Sequence, residues 1–118
     1  MKDARTGEAS PDAPQEKYHL VGIGGAGMSV VAELLAASGA AVSGSDSKES
    51  QTTRRLAAEG ISVSIGHDAR HVPADAVLVV SSAIRESNPE LAAARERSQK
   101  ILHRSQALAL AARGRDFV

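Results

Sequence analysis

The stretch VGIGGAGMS, residues 21–29, places three glycines between a short apolar run and a segment rich in alanine and leucine. Gly22, Gly24 and Gly27 match the pattern G-x-G-x-x-G where a predicted strand meets a predicted helix. At such a junction the first glycine permits a tight turn, the second lets the backbone approach a pyrophosphate, and the third lets the helix pack closely on the sheet. Amide groups at the helix N-terminus then face the phosphates. The pattern alone leaves three alternatives: a dinucleotide cofactor, a nucleotide-sugar substrate, or a tight turn with no ligand.

Around this loop, strand-like apolar runs alternate with helical segments. Strands are predicted at 18–23, 40–46, 61–65, 76–82 and 100–103, and helices at 26–38, 50–60, 89–98 and 105–114. Asn88 and Ser105 are the expected N-caps of the last two helices. This alternation predicts an α/β fold, a Rossmann-like doubly wound parallel sheet of about five strands in the order 3-2-1-4-5. The ligand crevice is then expected where the strand order reverses, between strands 1 and 4.

The composition restricts the class of function. A chain of 118 residues is long enough for one domain. Its 14 basic and 14 acidic side chains give zero net charge and no basic stripe, so we expect no nucleic-acid partner. The absence of cysteine excludes a disulfide scaffold and a cysteine nucleophile, and the scattered histidines predict no metal site. No apolar window is long enough for a membrane span or a signal peptide, so we expect a cytoplasmic protein with no membrane partner.

Composition also suggests domain boundaries. Residues 1–17 mix charges with glycine, proline and serine and have no apolar periodicity, which predicts a disordered leader. Residues 18–115 contain all the alternating segments and form the predicted Rossmann-like domain. The apolar residues near the end, within 116–118, are interpreted as the start of a further domain that this chain lacks.

Polar residues follow the predicted strands at the edge where the glycine loop lies. Asp46 ends the second strand, where dinucleotide-binding folds place the acid that binds ribose hydroxyls, although a turn aspartate is the alternative. Thr53 could reach the same crevice or cap a helix. Residues 81–84 end the fourth strand and could line the crevice or cap the strand. His67, after Gly66, could stack on or hydrogen-bond a base, or lie in solvent.

No catalytic motif accompanies these residues. The sequence lacks the phosphate loop G-x-x-x-x-G-K-[ST], a serine nucleophile elbow, a histidine paired with a nucleophile, and a close pair of carboxylates. The chain is therefore predicted to bind a ligand without supplying catalytic residues.

Several motifs, taken in order, resemble one family. They are HLVGIGGAGMS (19–29), VSGSD (42–46), GISVSIGH (60–67), VVSSAI (79–84), NPEL (88–91) and HRSQALA (103–109). Together they resemble the N-terminal domain of the Mur ligases of peptidoglycan synthesis, in particular the branch that joins L-alanine to UDP-N-acetylmuramate. The resemblance runs from about residue 19 to residue 118 and is much more specific than the glycine pattern alone.

The resemblance implies a division of labour among three domains. The N-terminal domain would bind UDP-N-acetylmuramate, a central domain ATP and Mg²⁺, and a C-terminal domain would help to bind L-alanine. ATP would phosphorylate the muramate carboxylate, and the alanine amine would attack the acyl phosphate. This chain would then hold the first substrate, need no cofactor of its own and be inactive alone.

The glycine pattern and the resemblance together assign a set of residues to the UDP-sugar. These residues are Gly22, Gly24, Gly25, Ala26, Gly27, Met28, Ser29, Ser45, Asp46, Thr53, Gly66, His67, Ser81, Ser82, Ala83 and Ile84.

Two alternatives remain at this point. The glycines and Asp46 alone also fit an NAD-binding module of a dehydrogenase or regulatory protein, but that interpretation gives no reason for VVSSAI followed by NPEL. A sister ligase that adds a recycled peptide would bind the same sugar nucleotide, although GIGGAGMS favours the alanine ligase.

Overall fold

The computed structural model describes residues 17–114, which contain a sheet of five parallel strands. The strands are β1 (Lys17–Val21), β2 (Ala41–Asp46), β3 (Ser62–Ile65), β4 (Ala76–Val80) and β5 (Ile101–His103). Their order is β3-β2-β1-β4-β5, which confirms the predicted topology. All neighbouring strands pair in parallel, so the carboxyl ends of the five strands lie at one edge of the sheet.

Helices cover both faces of this sheet. They are α1 (Ala26–Ala37), α2 (Gln51–Ala58), α3 (Pro89–Glu96) and α4 (Arg104–Gly114), and a 3₁₀ turn spans Ala69–His71. The larger apolar cluster joins α1, α2 and α4 to one face of the sheet, and the smaller one joins α3 and the 3₁₀ turn region to the other. Because side chains alternate along a strand, β1 sends Tyr18 and Leu20 into the larger cluster, and His19 and Val21 point to the α3 face.

The N-caps illustrate what local sequence does and does not specify. Asn88 caps α3 as predicted, since its Oδ1 accepts hydrogen bonds from the N–H groups of Glu90 and Leu91. The prediction for Ser105 is wrong. Helix α4 begins one residue earlier, and the Ser105 hydroxyl is instead hydrogen-bonded to Nδ1 of His103 at 2.9 Å.

The domain boundaries predicted from composition are only partly within the described residues. Lys17, assigned to the leader, is the first residue of β1 and pairs with Ala41 and Ala76. The rest of that leader and the predicted start of a further domain at 116–118 lie outside the described residues. Within residues 17–114 no helix has the length and apolarity needed to cross a membrane.

One fully buried carboxylate connects α3 to the sheet. Glu90 Oε1 accepts hydrogen bonds from His19 Nε2 at 2.8 Å and from the Ser45 hydroxyl at 2.7 Å. Its Oε2 accepts from the Asp68 N–H at 3.0 Å and from His71 Nδ1 at 3.3 Å. Strands β1 and β2, the connection from β3 to β4, and α3 therefore meet at a single side chain.

The hydrogen bonds decide the charge of this group. Burial alone would raise the pKa of Glu90, but the donors from His19, Ser45 and the Asp68 backbone outweigh burial and lower the pKa to about 2. Glu90 is therefore ionised at neutral pH. An ionised carboxylate accepts hydrogen bonds and donates none, which matches the four donors around it.

We predict that Glu90→Gln lowers the free energy of unfolding at pH 7 by about 3–5 kcal/mol, because an amide cannot accept from all of these donors. The pKa of Glu90 is depressed below its ordinary value of 4.5, so its stabilisation is present above about pH 4.5. That stabilisation is lost as the pH falls towards about 2. Urea unfolding between pH 7 and pH 3 measures both effects.

The matched control is Glu96→Gln, which changes an exposed carboxylate on the same helix. It should leave both the stability and its pH profile close to wild type. Equal stability of the Glu90→Gln and Glu96→Gln variants would contradict the role given to Glu90.

Candidate functional site

The carboxyl edge of the sheet gathers the loops that follow all five strands. The glycine loop follows β1, Asp46 ends β2, Gly66 and His67 follow β3, residues 81–84 follow β4, and Arg104 follows β5. In doubly wound folds this edge holds the ligand, in the crevice where the strand order reverses. The strand order reverses between β1 and β4, which is where the crevice is expected.

The glycine loop ends in a helix N-terminus with free amides. Gly22 has φ +77°, a conformation that favours glycine, and its carbonyl accepts from the Gly25 N–H at 3.0 Å. The Ser29 N–H, bonded to the Gly25 carbonyl at 2.8 Å, is the first amide of α1 with a helical partner. The amides of Ala26, Gly27 and Met28 have no acceptor among residues 17–114.

The electrostatics of this terminus favour an anion. The first turn of α1 contains no acidic residue, and Gly25 at the N-cap has no side chain to offer. No side chain of this first turn or of the N-cap therefore compensates the partial positive charge of the helix, and the nearest carboxylate, Asp46, is bonded to the Gly24 amide. Free amides that point outward from such a terminus are a ready-made phosphate site.

Arg104 adds a full positive charge to the same place. A Cβ built on Gly27 would lie 2.5 Å from Arg104 Nη1, so the guanidinium lies directly over that glycine. Arg104 forms no ion pair with any described residue. Arg104 lines a cleft of about 300 Å³. The other lining residues are Gly22, Gly25, Gly27, Met28, Ser81, Ser82 and Ala83. An unpaired guanidinium beside free amides is the strongest sign of an anion site in the described part of the chain.

Arg104 was not among the residues predicted from the sequence. It stands in HRSQALA, directly after the last strand, and that position at the carboxyl edge was the available signal. Gly27 was predicted to let the helix approach the sheet. Its nearest neighbours are instead the atoms of Arg104, so its lack of a side chain makes room for the guanidinium.

Asp46 and Thr53 lie against Gly24. The Gly24 N–H donates to Asp46 Oδ2 at 2.8 Å, and a Cβ on Gly24 would lie 2.9 Å from both that oxygen and Thr53 Cγ2. Gly24 is thus required by its protein neighbours, whereas the sequence suggested ligand approach as the reason. The Thr53 hydroxyl forms a capping box with Ser50 and is occupied at the start of α2.

Some predicted residues are turned away from the crevice. Ser29 is buried, with its hydroxyl donating to the Ala26 carbonyl and its N–H to the Gly25 carbonyl. The Met28 side chain is also buried and belongs to the larger apolar cluster. Ser45 is buried as well, and its hydroxyl faces Glu90 and His67 instead of the cleft. The side chains of these residues are buried behind the cleft. Met28 contributes only its backbone amide to the cleft wall.

Residues 81–84 form a turn on the opposite wall. The Ile84 N–H donates to the Ser81 carbonyl at 3.1 Å, and the Ala83 N–H donates to the Ser81 hydroxyl at 3.3 Å. Ser82 and Ala83 are exposed, and Ile84 lies close to Gly22. This turn faces the glycine loop on one side and a second cleft on the other.

The second cleft, of about 390 Å³, lies between residues 83–89 and His67. Gly66 has φ +92° and donates its N–H to the Asp46 carbonyl at 2.7 Å, which directs the chain after β3 across the crevice. The His67 ring lines the cleft, and its Nδ1 lies 2.9 Å from the Ser45 hydroxyl. Within residues 17–114 no group of histidine and acidic side chains is arranged to hold a metal ion.

Comparison with known proteins identifies relatives of this chain. The model of the Mur ligase family, catalytic domain, matches residues 17–116. The UDP-N-acetylmuramate–L-alanine ligase of Rubrobacter xylanophilus is 56% identical over 93 residues, which are 79% of this chain and 21% of that protein.

Solved structures of this family share the fold. The UDP-N-acetylmuramate-alanine ligase MurC of Thermotoga maritima is 35% identical, with a TM-score of 0.75, over 78% of this chain and 21% of that one. The murein peptide ligase of Psychrobacter arcticus is 25% identical, with a TM-score of 0.74, over 80% of this chain and 20% of that one.

The chain spans about a fifth of the length of the relatives that it matches. The match to the family model covers all of the described residues, including every loop at the carboxyl edge. On this evidence the chain belongs to the Mur ligase family.

Proposed function

We propose that the crevice at the carboxyl edge binds UDP-N-acetylmuramate, as the substrate-binding part of a ligase that joins L-alanine to this sugar nucleotide. The observation that carries the proposal is the convergence on one cleft of three amides of α1 and the Arg104 guanidinium, none of which has a partner among residues 17–114. That arrangement suits a diphosphate, which carries charge on several oxygens and accepts bonds from both kinds of donor.

The two clefts suggest how the ligand lies. The pyrophosphate would occupy the cleft of Arg104 and the glycine loop, and the base would occupy the cleft lined by His67. Ile84 and its turn stand between the two clefts and would contact the ribose side. Asp46 would act mainly by holding the glycine loop, because one of its oxygens is bonded to the Gly24 amide.

The choice of L-alanine rests on similarity. The alanine ligases of Rubrobacter xylanophilus and Thermotoga maritima are 56% and 35% identical to this chain, against 25% for the peptide ligase. By the family resemblance, ATP, Mg²⁺ and L-alanine would be bound by the four fifths of the relatives that this chain does not span. The described residues form no metal cluster, so no Mg²⁺ role and no chemical step is assigned to them.

Titration of the 118-residue chain with UDP-N-acetylmuramate should give saturable shifts of backbone amide resonances. The largest shifts are expected at residues 24–28, 66–67 and 81–84, which line the two clefts or directly adjoin the lining residues in sequence. NADH, titrated in parallel, should give no saturable shifts. Saturable binding of NADH without a response to the sugar nucleotide would overturn the proposal in favour of a dinucleotide module.

We predict that Arg104→Ala weakens binding of UDP by roughly 10-fold or more, since a hydrogen bond to a charged group contributes about 1.5–3 kcal/mol. Binding of uridine, which has no phosphate, should be unchanged. Calorimetry with both ligands separates a pyrophosphate contact from general damage to the fold.

The control for this prediction is Lys100→Ala, which removes a cation just before β5, at the opposite end of the strand from Arg104. Its affinity for UDP should equal that of wild type. If Arg104→Ala binds UDP as tightly as Lys100→Ala does, the guanidinium is not part of the anion site.

A further inference from the structure

The proton positions around His67 follow from the buried network behind it. Ser45 Oγ donates its only proton to Glu90 Oε1, 2.7 Å away, because the ionised carboxylate has no proton to give in return. The same hydroxyl oxygen lies 2.9 Å from His67 Nδ1. With its proton already committed, Ser45 can only accept from His67, so Nδ1 must carry a hydrogen.

A second contact supports this assignment. Glu90 Oε2 lies 3.6 Å from the same Nδ1 atom, so both oxygens that face Nδ1 are acceptors. If Nδ1 carried no hydrogen, its lone pair would face the Glu90 carboxylate and a lone pair of the Ser45 hydroxyl, and no proton would be available for a hydrogen bond. In a neutral imidazole a proton on Nδ1 leaves Nε2 as an acceptor.

The acceptor atom Nε2 lies at the end of the imidazole farthest from Cβ, in a side chain that lines the cleft. The His67 side chain is 23% exposed and lines the cleft with Ile84 and Asn88, and its Nδ1 edge is turned towards buried atoms. No described residue is hydrogen-bonded to Nε2. A polar atom that the protein leaves unpaired at the wall of a cleft is available to a ligand donor.

Asn88 supplies the opposite polarity in the same cleft. Its Oδ1 is fixed by the cap bonds from Glu90 and Leu91, so the amide Nδ2 is directed away from the helix. Nδ2, like His67 Nε2, has no partner among the described residues. Beside Arg85 and Ser87, which also line the cleft, His67 and Asn88 thus provide an acceptor and a donor that complement the ring N–H and the neighbouring carbonyl of uracil.

We infer that Glu90, acting through Ser45, holds His67 as the tautomer protonated on Nδ1, and that His67 Nε2 selects a base with a ring N–H, uracil, over cytosine. Cytosine presents a bare nitrogen at the corresponding ring position, so two acceptors would face each other. His67 would contact the base directly, and Ser45 and Glu90 are positioning residues. The inference rests on the proposed function for the identity of the nucleotide.

Two measurements on the 118-residue chain test this inference. Long-range ¹⁵N–¹H correlation spectra at about pH 8 report which imidazole nitrogen of His67 carries the proton. Calorimetric titrations then compare UDP with CDP and with the UDP analogue methylated at N3. We expect a protonated Nδ1, and affinities for CDP and the methylated analogue that are roughly 10-fold or more below that for UDP.

Ser45→Ala and Ser43→Ala form a matched pair on β2. Ser45→Ala removes the oxygen that fixes His67, and should both mix the two tautomers and narrow the ratio of UDP to CDP affinity. Ser43→Ala removes a hydroxyl bonded to His19 Nδ1 at 2.8 Å, within the same network but away from His67. It should leave both the tautomer and the ratio unchanged. If the role of Ser45 is purely structural, Ser45→Ala should weaken the binding of UDP and of CDP by the same factor, and the ratio of the two affinities should not change.

The outcomes separate the inference from the function on which it rests. Equal binding of UDP and CDP, or a proton on Nε2 of the wild-type ring, overturns the inference and leaves the sugar-nucleotide site standing. Failure of UDP to bind at all overturns the proposed function and the base selection with it.

Discussion

The buried carboxylate of Glu90 is the constraint that relates the separate loops of the crevice to one another. It accepts from His19 on β1, from Ser45 on β2, and from Asp68 and His71 on the connection between β3 and β4. A buried charge is tolerable only when its hydrogen-bonding capacity is filled, so each of these segments is held in one position relative to α3. The same network reaches His67 through Ser45 and therefore extends from the core of the fold to the wall of the cleft.

The missing side chains of the glycine loop leave space for other groups of the protein. Gly24 was expected to let a pyrophosphate approach, and Gly27 to let the helix pack closely on the sheet. Both instead make room for protein groups: Gly24 for Asp46 and Thr53, and Gly27 for Arg104. These contacts shape the proposed phosphate site indirectly. Asp46 holds the loop through the Gly24 amide, and the absence of a side chain at Gly27 lets the guanidinium lie beside the free amides of α1. Under the proposed function, the loop would bind phosphate with backbone donors and one cation from a distant part of the sequence.

Local patterns in the sequence predicted the sheet order and nearly all the elements, because β-branched runs, glycine stops and the Asn88–Pro89 cap act over a few residues. The prediction that Ser105 is an N-cap failed because a serine before an apolar run can also lie inside a helix. The bond between His19 and Glu90 could not be predicted from their residue types, and for Arg104 the available signal was its position after the last strand. A histidine in a strand and a glutamate in a first helical turn are ordinary until the fold brings residues 71 positions apart within 2.8 Å of each other.

In the proposed function, the diphosphate of a UDP-sugar lies between the N-terminus of α1 and Arg104. A crystal structure of the chain grown with UDP-N-acetylmuramate would locate the diphosphate. We expect phosphate oxygens within hydrogen-bonding distance of the amides of Ala26, Gly27 and Met28 and of the Arg104 guanidinium. A well-ordered sugar nucleotide whose phosphates lie elsewhere, for example in the cleft formed by residues 74–77 and 97–100 at the opposite edge of the sheet, would contradict it.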